Sequence, residues 1–159
     1  MLVEFEKLPD TSKIWIYQSD RKFYPNEVPE IKQKTTKFLK EWLNNNQECG
    51  FDLRYERFLI IGVNDKLDPL SIEAIDASVG HIFGLQNDYN IELLDKLNVC
   101  FKQGEFVQYK DLKSFQKLLK SKSISAKTIV FNNLINTKEE LENNWEIPIT
   151  ESWHNRFLR

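Results

Sequence analysis

Phe51-Asp-Leu-Arg-Tyr-Glu-Arg-Phe-Leu-Ile-Ile-Gly-Val63 changes its pattern halfway along. Phe51, Leu53 and Tyr55 alternate with Asp52, Arg54 and Glu56, the two-residue period of a strand with one wet face. From Phe58 to Val63 the polar half of the alternation disappears, as in a strand covered on both faces. One long bent strand or two paired strands both satisfy this reading. Glu56-Arg57 lacks the Gly or Asn of a two-residue hairpin, so a register change there calls for a bulge or a wider turn.

On the N-terminal side, Lys13-Ile-Trp-Ile-Tyr17 is a first strand, with Ile14 and Ile16 on one face and Trp15 and Tyr17 on the other. Val28, Ile31, Phe38, Leu39, Trp42 and Leu43 then recur at helical spacing with Thr35 filling the gap in the stripe, which predicts a helix over residues 27–43. Asn44-Asn-Asn46 ends it. On the C-terminal side, Ile72, Ile75, Val79, Ile82 and Phe83 form a second stripe, capped by Ser71 and weakened by Gly80 and Gly84. Residues 91–97 add a helical turn. Residues 98–102 and 105–109 then read as a hairpin with Gly104 at its tip. Asp111 caps a third helix carrying Leu112, Phe115, Leu118 and Leu119, residues 128–131 are a short buried strand, and Thr137 with Glu140 makes a capping box for a small helix ending near Asn144. The expected architecture is α+β: a largely antiparallel sheet, two or three packed amphipathic helices and an aromatic C-terminal tail, in a single domain over residues 1–159.

Composition removes several function classes. The 22 Lys and Arg against 24 Asp and Glu leave a net charge of −2, so no global field favours a polyanionic partner. The first residues interleave acids with apolar groups and make no signal-peptide core, and no run approaches a bilayer-spanning length, so a cytoplasmic protein without membrane insertion is expected. Cys49 and Cys100 are too few for a disulfide framework and lie in no metal-binding spacing; no metal or cofactor is expected. None of the five glycines is followed by Lys-Ser or Lys-Thr, so the phosphate-cradling loop of P-loop ATPases is missing.

Asp76, Ser78 and His81 lie within six residues, and Ser78 and His81 fall on one helix face, which makes them candidates for catalysis or simply for a helix surface. Lys113, Lys117 and Lys120 form a positive stripe within a segment of six lysines and one acid, Asp111, a local balance of +5. Such a stripe is a strip for the phosphates of a nucleic acid, a face for an acidic partner, or a solvated face. Without Arg, and without an aromatic on the polar side, nucleic acid is not the expected partner. Residues 132–151 carry a compensating balance of −4. The tail from Asn144 to Phe157 holds Trp145, Trp153, His154 and Arg156 around Pro148. These residues are core anchors, or they form a binding surface of the Trp/Arg kind found at interaction hot spots, with His154 able to move a proton near neutral pH.

Lys13-Ile-Trp-Ile-Tyr-Gln18, Asp20-Arg-Lys-Phe23, Arg57-Phe58, Ile75-Asp-Ala-Ser-Val79, Thr128-Ile-Val-Phe-Asn-Asn133 and Glu151-Ser-Trp-His-Asn-Arg-Phe157 together resemble a family of small, uncharacterised bacterial proteins. Members of that family often carry the label "ABC transporter ATPase". The resemblance covers nearly the full length. The label implies ATP hydrolysis, but an ABC signature of the Leu-Ser-Gly-Gly-Gln type is missing together with the phosphate loop, so ATPase activity is not expected. The first functional expectation is a non-enzymatic cytoplasmic binding or adaptor protein using Trp145, Trp153, His154 and Arg156, with a protein or small molecule as partner. The alternative is a small-molecule enzyme with His154 in a cleft, joined by Asp76 or Ser78.

Overall fold

The computed structural model describes residues 1–159. Strands β1 (Lys13–Gln18), β2 (Glu48–Arg54) and β3 (Phe58–Asn64) form an antiparallel sheet in the order β1-β3-β2. The run 51–63 is therefore two paired strands, with Leu53 opposite Leu59 and Arg54 opposite Phe58. The connection takes three residues and places Tyr55 (φ 56°) and Glu56 (φ 50°) in the left-handed region, a conformation that side chains other than Gly and Asn adopt at a cost. Neighbouring backbone holds them there. The Phe23 N–H donates to the Glu56 carbonyl at 2.7 Å, the Ser19 N–H to the Arg57 carbonyl at 2.9 Å, and Arg57 Nη1 returns to the Ser19 carbonyl at 3.0 Å.

β3 is buried from Phe58 to Val63, which accounts for its unbroken apolar run. On one face Leu59, Ile61 and Val63 pack with Tyr17 and Cys49 under two helices, α1 (Glu27–Trp42) and α2 (Ile72–Tyr89), which contribute Ile31, Leu39, Ile82 and Leu85. Arg21 fastens the helices at one end. Its guanidinium grips Glu27 with two bonds of 2.8 and 3.0 Å and donates to the Tyr89 carbonyl at 2.9 Å, joining the start of α1 to the end of α2.

The other face is covered differently. Gly50 and Gly62 stand opposite each other, with Ile14 next in the row, and a short 3-10 turn at Phe5–Lys7 lies over them. A Cβ on Gly50 would sit 2.7 Å from the Val3 carbonyl oxygen, and one on Gly62 would sit 2.7 Å from Leu8 Cδ1 and 3.0 Å from the Phe5 ring. Two missing side chains thus make room for an aromatic ring against the sheet. Lys138 fixes this cover: its buried ammonium donates to the Glu6 and Leu8 carbonyls at 2.8 and 2.7 Å.

α2 turns a different face inward from the one its apolar stripe suggests. Ser78, Ile82 and Leu85 are buried, while Ile72 and Phe83 are 75% and 52% exposed. The orientation is set by bonds to α1: Trp42 Nε1 donates to the Ala74 carbonyl at 2.8 Å, and Thr35 Oγ1 lies 3.0 Å from His81 Nε2. Ser78 tolerates burial because its hydroxyl donates to the Ile75 carbonyl at 2.6 Å. The helical turn expected over residues 91–97 does not form. Gln86 Oε1 accepts the Leu93 and Leu94 N–H groups at 2.8 and 3.1 Å, holding the chain open while Ile91 and Leu93 enter the core.

The second sheet comprises β4 (Val99–Gln103), β5 (Phe106–Lys110), β6 (Ile129–Phe131) and β7 (Glu146–Pro148), antiparallel in the order β5-β4-β6-β7. Gly104, at φ +61°, turns the β4–β5 hairpin where the sequence places its tip. Helix α3 (Leu112–Lys120) is capped by Asp111, whose carboxylate accepts the Ser114 N–H at 2.8 Å. Its Phe115 packs with Val99, Phe101, Ile124, Val130 and Ile149. A short helix, α4 (Lys138–Asn144), leads into β7. The chain falls into two compact units, Met1–Leu94 with Asn136–Glu139 and Asp95–Ile135 with Glu140–Arg159, each with its own sheet and core. The fold is α+β with antiparallel sheets and packed helices, and no helix is long and apolar enough to cross a membrane.

The glycines separate into two kinds with opposite responses to a methyl group. Gly50→Ala should cost about 2 kcal/mol, because the obstacle is backbone. Gly80→Ala and Gly84→Ala, with nothing within 4 Å of the added carbon, should each stabilise by about 0.5–1 kcal/mol. Urea denaturation of the three variants checks this; equal effects at Gly50 and Gly80 contradict it.

Candidate functional site

Three segments of the second unit converge on a cleft of about 600 Å³: the end of α3, the loop that follows it, and the C-terminal 3-10 turn Trp153–Leu158. The end of α3 is closed by two backbone bonds, Lys122 N–H to the Leu119 carbonyl at 3.2 Å and Ser123 N–H to the Leu118 carbonyl at 3.0 Å. This is the motif that normally ends on glycine, and here Lys122 holds the left-handed position at φ 62°. The loop beyond it is tied down locally, with Ser125 N–H donating to Thr128 Oγ1 at 3.0 Å and Thr150 N–H to the Ala126 carbonyl at 3.3 Å.

The C-terminal turn is oriented by its buried members. Ser152 Oγ accepts the His154 N–H at 3.0 Å and lies 2.8 Å from His154 Nδ1. The His154 ring meets Phe115 edge-on at 5.9 Å and is 1% exposed. With this ring inside, Arg156 and Phe157 emerge onto the cleft. The Arg156 guanidinium stands 5.1 Å from the Trp153 ring centre, within cation–π range, and Trp153 meets Phe157 edge-on at 5.9 Å. Around the cleft Lys120, Lys122, Arg156 and Arg159 supply positive charge and no acidic side chain lines it. Leu119, Ile124 and Phe157 supply an apolar wall.

The residues singled out in the sequence have separate fates. Trp145 is 1% exposed, packs edge-on against Phe131 at 4.8 Å and donates its indole N–H to Asn133 Oδ1 at 2.8 Å, so it is a core anchor. Trp153 is half-buried and Arg156 exposed. Of the lysine stripe, Lys120 reaches the cleft, whereas Lys113 and Lys117 stay on the exposed side of α3. Asp76 is exposed on α2 in the first unit, and Ser78 and His81 are occupied there by Ile75 and Thr35 respectively, with Phe38 stacked on the His81 ring at 4.7 Å. No group of three or more His, Cys, Asp or Glu side chains is gathered to hold a metal ion. Lys122 was legible only indirectly: α3 ends without the glycine expected there.

Burial, assisted by the charge of Arg156, pushes the His154 imidazole down to about 4 from its usual 6.5. Burial shifts His81 in the same direction. The folded protein keeps the His154 ring neutral where the unfolded chain binds a proton, so stability is complete above pH 6.5 and falls as pH drops toward 4. Between pH 7 and pH 5 the His154 contribution is about 2 kcal/mol. Urea midpoints at the two pH values should differ clearly in the natural protein and less in His154→Gln; an unchanged difference contradicts a buried neutral ring. Comparison with family models, with curated proteins and with solved structures finds no match.

Proposed function

We propose that this is a cytoplasmic, non-enzymatic binding or adaptor protein whose recognition surface is the C-terminal turn and the cleft beside it. The observation that carries the reading is the cleft itself, where Arg156 and Phe157 stand on an exposed wall whose other charged side chains, Lys120, Lys122 and Arg159, are all basic. Arg and aromatic side chains dominate recognition surfaces because they combine area with a polar handle. The cytoplasmic assignment is supported by Cys49 and Cys100, which are both buried and joined in no disulfide, as in reducing compartments. The Cys49 thiol is pushed up to about 11 by burial, the opposite of a reactive thiolate.

The enzyme reading places His154 in a cleft as a proton-transfer group. It draws no support from a ring that is 1% exposed and held neutral far below pH 7, since general acid–base catalysis is best served by a pKa near the working pH. The resemblance to a family labelled as ATPases adds no ATP-binding motif to the chain.

Arg156→Glu tests the binding surface without touching the core, and Trp153→Ala removes the ring beside it. Capture experiments with immobilised protein in extract from its native cell should yield a stoichiometric partner that Arg156→Glu loses while circular dichroism and Tm stay near those of the natural chain, and that Trp153→Ala, with a lowered Tm, loses at a temperature where it is still folded. Capture of the same partner by Arg156→Glu contradicts the reading, and so does loss of Arg156→Glu capture only through unfolding.

A further inference from the structure

We infer that the C-terminal cleft is a site for an organic phosphate, a small molecule that carries a phosphate dianion on an apolar or aromatic body. This rests on the reading of the C-terminal surface as a binding surface, and names what it binds. Charge is the first reason. Lys120, Lys122 and Arg156, with Arg159, bring four cationic side chains onto one concavity that no Asp or Glu side chain lines. Like charges held together repel, and the arrangement is relieved when a multivalent anion enters. A dianion matches it better than a carboxylate does. The planar fork of Arg156 suits two oxygens of a phosphate, and the lysines act as point charges on the third.

Shape is the second reason. A volume of about 600 Å³ lies within the range of small-molecule sites, far more than inorganic phosphate fills. The rest of the space is walled by Leu119, Ile124 and Phe157, which call for an apolar body attached to the charge. Polymeric nucleic acid is the poorer fit, because the lysines that continue along α3, Lys113 and Lys117, lie outside the concavity.

Lys122 is the third, independent reason. It occupies the left-handed position that closes α3, where glycine is free of strain and a lysine is not. The strained residue is also one that lines the cleft, so its conformation and its charge can be tested in a single variant. A purely structural helix end gains from Lys122→Gly. A binding site gains stability and loses affinity in the same variant.

Isothermal titration with phenyl phosphate, inorganic phosphate and phenol, at low and at physiological ionic strength, tests the proposal, with Tm measured alongside. Phenyl phosphate should saturate a single site and bind at least about tenfold more tightly than inorganic phosphate, and phenol should not bind measurably. Lys122→Gly should raise Tm and weaken phenyl phosphate several-fold; Arg156→Gln should weaken it about tenfold with Tm unchanged. The proposal is overturned if phenyl phosphate does not bind, binds no better than inorganic phosphate, or binds Arg156→Gln and Lys122→Gly as tightly as the natural protein. Failure here with Arg156-dependent partner capture intact sinks the phosphate ligand and leaves the binding surface standing. Absence of Arg156-dependent capture with phosphate binding intact removes the macromolecular partner and leaves the cleft as a small-molecule site.

Discussion

A strand buried on both faces has to be covered twice, and β3 imposes that requirement on the first unit. One cover is ordinary: two amphipathic helices laid over Leu59, Ile61 and Val63. The second is a single 3-10 turn, thinner than a helix, brought against the sheet by the opposed Gly50 and Gly62. Phe5 fills the space that their side chains leave, and Lys138 anchors the turn through two carbonyls from more than a hundred residues away in sequence. The strained Tyr55–Glu56 connection follows from the same demand, because β2 must reverse tightly to lie beside β3 in this register.

Periodicity made β1, the β2–β3 run, α1 and the β4–β5 hairpin legible, since a two-residue or 3.6-residue repeat reports burial directly, whereas β7, three residues inside the expected tail, is too short to show a repeat. It was a poorer guide to α2. That helix has apolar residues on more than one side, and its inward face was chosen by Thr35, Trp42 and Arg21, partners distant in sequence whose hydrogen bonds leave no periodic trace. Residues 91–97 failed for a similar reason: Gln86 captures backbone donors that a helical turn would have used internally. The glycine pair was invisible because it acts across strands.

For the cleft, composition pointed to a segment that forms one of its walls and only partly to the residues that line it. Trp145 and His154 have the chemistry of a binding surface and the surroundings of a core. What remains outside is Arg156, Phe157 and half of Trp153, beside a helix end whose last lysines were read as one stripe. The stripe divides by geometry: Lys113 and Lys117 face solvent on the helix flank, and Lys120 turns into the cleft with Lys122. A net charge of −2 conceals this, because neutrality over the whole chain leaves room for a local concavity of one sign.

The proposed binding surface, the organic phosphate proposed for it and the left-handed Lys122 all meet at one place, so a residue-resolved titration bears on them together. Amide chemical shifts followed while phenyl phosphate is added should move progressively and saturably for residues 119–126 and 156–159, with the first unit's amides at Gly50, Gly62 and His81 unmoved. Shifts centred on the first unit, or none beyond those produced by the same amount of sodium chloride, contradict the account.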